Sequence, residues 1–86
     1  MIKLGVLGST NGTDLQAILD SVASGELNGE VSVVLSNQKN AYILERAKNH
    51  NVPTVFLSHK EKSRKEFDDE MTAILKEHAV DLVLLI

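Results

Sequence analysis

Four short apolar runs, separated by longer stretches with helical periodicity, restrict what this chain can fold into. The runs are Ile2–Leu7, Val31–Leu35, Thr54–Leu57 and Leu82–Ile86, and the stretches between them cover residues 8–30, 36–53 and 58–81. Each stretch is longer than the roughly twelve residues that a crossover between parallel strands requires. Near-continuous apolar strands are typical of a parallel sheet covered on both faces. With right-handed crossovers, the pattern predicts a Rossmann-like β-α-β-α-β-α-β half of a doubly wound sheet, with strand order 3-2-1-4.

The three stretches between the runs carry helix signals. The first holds apolar residues at i, i+3, i+4 and i+7, one stripe of an amphipathic helix: Leu15, Ile18, Leu19 and Val22. Gly25 follows where a C-terminal cap is expected. The second predicts a helix over residues 41–49, and the third places on one face Phe67, Met71, Ile74, Leu75 and His78. The capping-box pattern at Thr13–Gln16 and at Ser63–Glu66 predicts Thr13 and Ser63 as N-caps.

Composition limits the class of protein. The 86 residues, 43% of them hydrophobic, suffice for one small domain, which we expect to cover residues 1–86. No apolar run approaches 18 residues and no signal peptide precedes Ile2, so we expect a cytoplasmic protein without a membrane partner. The net charge of −3 disfavours nucleic acid as a partner. The chain has no cysteine, and no two of its histidines (His50, His59, His78) have metal-ligand spacing, so we expect no metal site.

The last apolar run, Leu82–Ile86, predicts a strand with an open edge. It carries no charge, and we expect its outer side to lack a strand partner. Exposed edge strands are usually short, charged or covered, because their free backbone groups recruit other chains. We therefore expect the sheet to be truncated after its fourth strand. An alternative function is therefore a non-catalytic α/β module, which pairs with a partner chain or with a second copy of itself through this strand.

The turn between the first strand and the first helix predicts an anion site. It reads Gly8-Ser9-Thr10-Asn11-Gly12-Thr13-Asp14. A glycine-containing turn before a helix directs free backbone N–H groups, and the positive end of the helix dipole, toward a bound phosphate. The pattern is neither the dinucleotide G-x-G-x-x-G nor a P-loop, and Ser36-Asn37 replaces the acidic residue that would bind a ribose, so NAD is disfavoured. A tight turn without a ligand is the alternative interpretation.

Several segments together resemble the phosphoribosylglycinamide formyltransferase family, the folate-dependent enzymes of purine synthesis. They are Val6-Leu7-Gly8-Ser9, residues 11–18, Val34-Leu35-Ser36-Asn37, Ala41, residues 44–47, Ser63-Arg64, residues 66–68, Glu70 and Asp81-Leu82-Val83-Leu84-Leu85. They follow one another in register over the whole chain. The resemblance implies transfer of a formyl group from 10-formyltetrahydrofolate, as co-substrate, to the amine of glycinamide ribonucleotide.

The resemblance also implies roles for particular residues. Asn11, Gly12, Thr13 and Asp14 would bind the substrate phosphate, and Arg64 would lie on the folate side, although a solvated first-turn arginine is an equal alternative. Asp14 stands where many members have asparagine, and we expect its carboxylate to face away from the phosphate. The family's catalytic Asn, His and Asp follow the strand that ends at Ile86. The resemblance therefore implies an N-terminal, phosphate-binding part without catalytic residues, inactive alone.

Overall fold

Parallel strands alternate with helices throughout the computed structural model, which describes residues 1–8, 11–58, 60 and 62–86. The elements are β1 (Ile2–Leu7), α1 (Thr13–Ser24), β2 (Gly29–Ser36), α2 (Tyr42–Asn49), β3 (Thr54–Phe56), α3 (Arg64–Glu77) and β4 (Leu82–Leu85). All strand pairs are parallel, and the order across the sheet is β3-β2-β1-β4. The predicted Rossmann-like fold and its strand order are confirmed. Strand and helix limits differ from the predicted ones by one or two residues.

The two faces of the sheet are covered unequally. On one face α1 and α2 pack on the sheet and form a buried cluster: Val6, Leu15, Leu19, Val31, Val34, Ile43, Leu44 and Ala47. On the other face, the buried side chains are Val33, Leu35 and Leu57. α3 packs against them with side chains that are only half-buried: Phe67, Met71, Ile74 and Leu75. The predicted apolar stripes of α1 and α3 face the sheet, one on each of its two sides. However, α3 has no fully buried residue among those described.

A β-bulge interrupts the pairing of β1 with β2. Leu4 pairs with Val31 and Gly5 with Val33, so Ser32 is the extra residue on β2. An extra residue changes which side chains of a strand share a face. Val31 and Val34 therefore both belong to the cluster under α1 and α2.

The helix ends show which capping predictions hold. Ser63 caps α3: its Oγ accepts from the Glu66 N–H at 3.1 Å, and Glu66 Oε1 accepts from the Ser63 N–H at 3.4 Å. Gly25 ends α1 in the left-handed conformation, as predicted. The prediction of Thr13 as the cap of α1 is wrong, because Gly12 is the N-cap and no side chain caps this helix. None of the helices in the described part of the chain has the length and apolarity needed to span a bilayer.

The fourth strand lies at the edge of the sheet. β4 pairs with β1 on one side, and its other side has no strand neighbour among the described residues. Its apolar side chains are unusually exposed, Leu82 by 51% and Leu85 by 75%. Ile86 follows the strand and donates its N–H to the Leu7 carbonyl at 3.0 Å.

Candidate functional site

The β1–α1 turn lies where three strands end together. The Gly8 N–H donates to the Leu35 carbonyl at 3.1 Å, and the Ile86 N–H donates to the Leu7 carbonyl at 3.0 Å. The carboxyl ends of β2, β1 and β4 are thereby held side by side. The two connections that leave β1 and β3 cover opposite faces of the sheet. Open α/β sheets bind their ligands outside the carboxyl ends of the strands, at the point where two connections leave toward opposite faces of the sheet.

The backbone conformation at residues 12–14 favours a concave row of N–H donors. Gly12 has left-handed backbone angles (φ 75°, ψ 30°), and Thr13 begins α1 in the right-handed conformation. When consecutive residues have left-handed and right-handed helical backbone angles, their N–H groups point into one concavity that suits an anion. The Gly12 carbonyl accepts from the Gln16 N–H at 2.9 Å, whereas the N–H groups of Gly12, Thr13 and Asp14 donate to no described residue. The positive end of α1 adds to the attraction for a negative charge.

Gly12 is required by packing as well as by its backbone angles. A Cβ at this position would lie 2.7 Å from Ile43 Cγ1 and 2.9 Å from both Ile43 Cα and Cβ. The turn therefore rests directly on the first turn of α2. The side of Gly12 that lacks a Cβ thus faces α2.

Arg46, on α2, binds the turn from the side and was not among the predicted site residues. Its Nε donates to the Asn11 carbonyl at 2.6 Å, and its Nη1 donates to Gln16 Oε1 at 3.2 Å. The guanidinium also lies 4.8 Å from the centre of the Tyr42 ring, one helical turn earlier. In the sequence, the spacing of four residues between Tyr42 and Arg46 indicates that their side chains are neighbours on α2. That spacing does not indicate which residue of the turn or of α1 Arg46 contacts.

The side chain of Gln16 shows why the predicted capping box does not form. Arg46 has only donors, so the amide oxygen of Gln16 faces it and the amide nitrogen faces the opposite way. That nitrogen lies 3.0 Å from Asp20 Oδ1 and 3.1 Å from His50 Nε2. The side chain is thus bound along α1 and to α2, and does not return to the start of its own helix.

The remaining predicted residues have the following positions. The side chains of Asn11, Thr13 and Asp14 are exposed around the turn. Arg64 is the first residue of α3 and is also exposed; because α3 follows β3, its start belongs to the same edge of the sheet as the turn. His59 lies outside the described residues, as do Ser9 and Thr10 of the turn. No group of three or more potential metal ligands occurs among the residues whose positions are described.

Two cavities at the carboxyl edge of the sheet offer space for a ligand. One, of about 420 Å³, is lined by Leu7, Gly8, Asn37, Phe67, Leu85 and Ile86. The other, of about 640 Å³, lies beside Asn37 and Lys60. A larger cavity of about 780 Å³ lies at the opposite edge, beside Gly29 and Pro53. None of residues 11–14 lines either of the two cavities at the carboxyl edge. We regard that edge as the candidate site because the positive end of α1 also lies there, with backbone N–H groups that donate to no described residue.

The fold is that of a Rossmann-like α/β protein, and the turn after its first strand is a candidate anion site. The model of the family described as formyl transferase matches residues 2–86. The chain belongs to the formyl transferase family.

Relatives are similar over almost the whole chain. The phosphoribosylglycinamide formyltransferase of Haemophilus influenzae is 41% identical over 99% of this chain, and that of Schizosaccharomyces pombe is 45% identical over 80% of it. The crystal structure of glycinamide ribonucleotide transformylase 1 from Symbiobacterium toebii superposes with a TM-score of 0.94 at 43% identity, over 99% of this chain. The chain spans 41%, 38% and 41% of the lengths of these three proteins, respectively.

Proposed function

We propose that this chain is the N-terminal, substrate-phosphate-binding part of a cytoplasmic phosphoribosylglycinamide formyltransferase. The complete enzyme would transfer a formyl group from 10-formyltetrahydrofolate to the amine of glycinamide ribonucleotide, in purine biosynthesis. The similarity to enzymes of that name over nearly the whole chain supports the reaction class. The observation that carries the proposal is the row of backbone N–H groups at residues 12–14, which donate to no described residue and lie at the positive end of α1.

The turn suits a terminal phosphate in several ways. Three converging backbone donors match the oxygens of a phosphate better than any single cation, and they need no reorganisation when the ligand arrives. The exposed side chains of Asn11 and Thr13 add an amide and a hydroxyl at the rim. Asp14 would contribute its N–H, with its carboxylate turned away and favourably placed in the first turn of α1. Arg64, at the start of α3, would bind a carboxylate or the pterin of the folate.

The chain by itself is proposed to be inactive. Amine attack on the formyl group creates a tetrahedral oxyanion, which requires a positioned donor and a group that moves protons. We propose that the Asn, His and Asp that supply these functions follow Ile86 in the complete enzyme. Loss of one oxyanion donor already costs about 10²–10³-fold in rate, so loss of the whole set should abolish turnover. Measurable formyl transfer by the purified 86-residue chain would contradict this part of the proposal.

Phosphate recognition is tested by titrating the ¹⁵N-labelled chain with glycinamide ribonucleotide and with the matched ribonucleoside that lacks the phosphate. We expect saturable amide shifts at Gly12, Thr13 and Asp14 with the ribonucleotide, and none at these positions with the ribonucleoside. The paired ligands separate phosphate binding from contacts with the rest of the molecule. Equal shifts with both ligands, or no shift with either, would refute the assignment.

A second candidate function is favoured by the exposed edge of β4. Leu82 and Leu85 are 51% and 75% exposed, on a strand whose outer backbone groups have no strand partner among the described residues. Such an edge is suited to adding a strand from another chain, including a second copy of this one. Sedimentation velocity over a range of concentrations tests this function. A monomer at all concentrations, with no partner strand on β4, would exclude it.

A further inference from the structure

Arg46 holds the anion-binding turn through its backbone. The arginine is half-buried between α1 and α2, and its Nε lies only 2.6 Å from the Asn11 carbonyl oxygen. Its Nη1 bonds to Gln16, and the Tyr42 ring covers the guanidinium. Two hydrogen bonds and a stacked ring leave this side chain little rotational freedom. The guanidinium is therefore a fixed anchor for the Asn11 carbonyl.

Fixing that carbonyl also fixes the direction of the next N–H group. The Asn11–Gly12 peptide bond is trans, as are all the peptide bonds described. In a trans peptide the carbonyl and the following N–H point in opposite directions across the same plane. Because the Asn11 carbonyl points to Arg46, the Gly12 N–H points away from Arg46. Gly12, with its wide choice of backbone angles, would otherwise allow this peptide plane to rotate.

We propose that Arg46 is a positioning residue of the anion site, and that its hydrogen bond to Asn11 presents the Gly12 N–H to the bound phosphate. This inference rests on the proposed function and deepens it, since it assigns the orientation of the turn to a side chain on α2. Arg46 acts through the peptide plane and does not itself touch the phosphate. Its effect on affinity would therefore exceed that of removing another positive charge from the same helix.

The test compares four forms of the chain: the unchanged chain, Arg46→Gln, Arg46→Lys and Lys48→Gln. Lys48 is exposed on the same helix and has no side-chain hydrogen bond or ion pair in the described part of the chain, so Lys48→Gln is the charge-matched control. Three quantities are measured: the ¹³C shift of the Asn11 carbonyl without ligand, the dissociation constant of inorganic phosphate from the Gly12 and Thr13 amide shifts, and the urea midpoint.

The expected result is specific to Arg46. Arg46→Gln should move the Asn11 carbonyl shift and weaken phosphate binding by about tenfold, the size of one charge-assisted hydrogen bond. Arg46→Lys should also weaken it, because lysine lacks the rigid fork that reaches both Asn11 and Gln16. Lys48→Gln should leave the carbonyl shift unchanged and alter the dissociation constant by less than about twofold.

Other outcomes contradict the inference in distinguishable ways. If the unchanged chain binds no phosphate at residues 12–14, the proposed function fails. If it does bind, but the variants at Arg46 lose no more affinity than Lys48→Gln, the arginine contributes only charge and the positioning role is refuted. Should Arg46→Gln fail to fold by its urea curve, Arg46→Lys decides: unchanged phosphate affinity with a shifted Asn11 carbonyl would overturn the proposal.

Discussion

Replacing Gly12 by alanine should be among the most destabilising single-methyl changes in this chain. Alanine in the left-handed region costs about 1–2 kcal/mol. The new methyl would also lie 2.7–2.9 Å from Ile43 Cα, Cβ and Cγ1. Overpacking of this kind costs about 1–3 kcal/mol, so the total is roughly 2–5 kcal/mol. A chain of 86 residues has a free energy of unfolding of only about 4–13 kcal/mol, and Gly12→Ala would remove a large share of it.

Gly25→Ala is the matched control for this experiment. Gly25 has the same left-handed backbone (φ 84°), but a Cβ there would meet nothing within 4 Å. Its cost, about 1–2 kcal/mol, therefore measures backbone strain alone. Urea denaturation followed by circular dichroism yields both free energies of unfolding. Equal losses in Gly12→Ala and Gly25→Ala would refute the packing argument.

Three further predictions concern α3, β4 and the folate side. Ser63→Ala should lower the free energy of unfolding by about 0.5–2 kcal/mol in urea, whereas Thr13→Ala should cost far less, because Thr13 caps no helix. Leu85→Lys, on the most exposed side chain of β4, should reduce any concentration-dependent association in sedimentation velocity; persistent association would place the contact elsewhere. Arg64→Gln should weaken binding of a folate analogue in calorimetry and leave the phosphate-dependent shifts at Gly12 unchanged; the opposite pattern would contradict its proposed role.

The fold was predictable from the sequence because it depends on local patterns. Apolar runs and helical stripes each reflect burial, and the connections are long enough for crossovers between parallel strands. Ser63 and Glu66 form the predicted capping box because both residues belong to one turn of α3 and depend on nothing else. The fourth strand also followed from sequence, since five apolar residues without a charge are typical of a strand in a parallel sheet.

The details of the site were less predictable, because they depend on contacts between elements. Thr13 and Gln16 fit the capping pattern equally well, but the N-cap is Gly12, whose backbone lies against Ile43 of α2. Gln16 then bonds to Arg46, a residue 30 positions away along the chain. No local pattern contains such a contact, so the sequence did not predict Arg46 as a site residue.

The unequal cover of the two sheet faces predicts how this chain opens. α1 and α2 each contribute fully buried side chains, whereas α3 has none among its described residues. Segments with little buried apolar surface unfold locally at a lower free energy than the whole domain. A protease should therefore cleave within α3 first, and leave a core of β1, β2, α1 and α2 that still contains the turn proposed to bind phosphate. Unfolding of α3 would also displace Arg64, its first residue. Binding at the proposed folate side should therefore be lost at an earlier stage of digestion than phosphate binding at the turn.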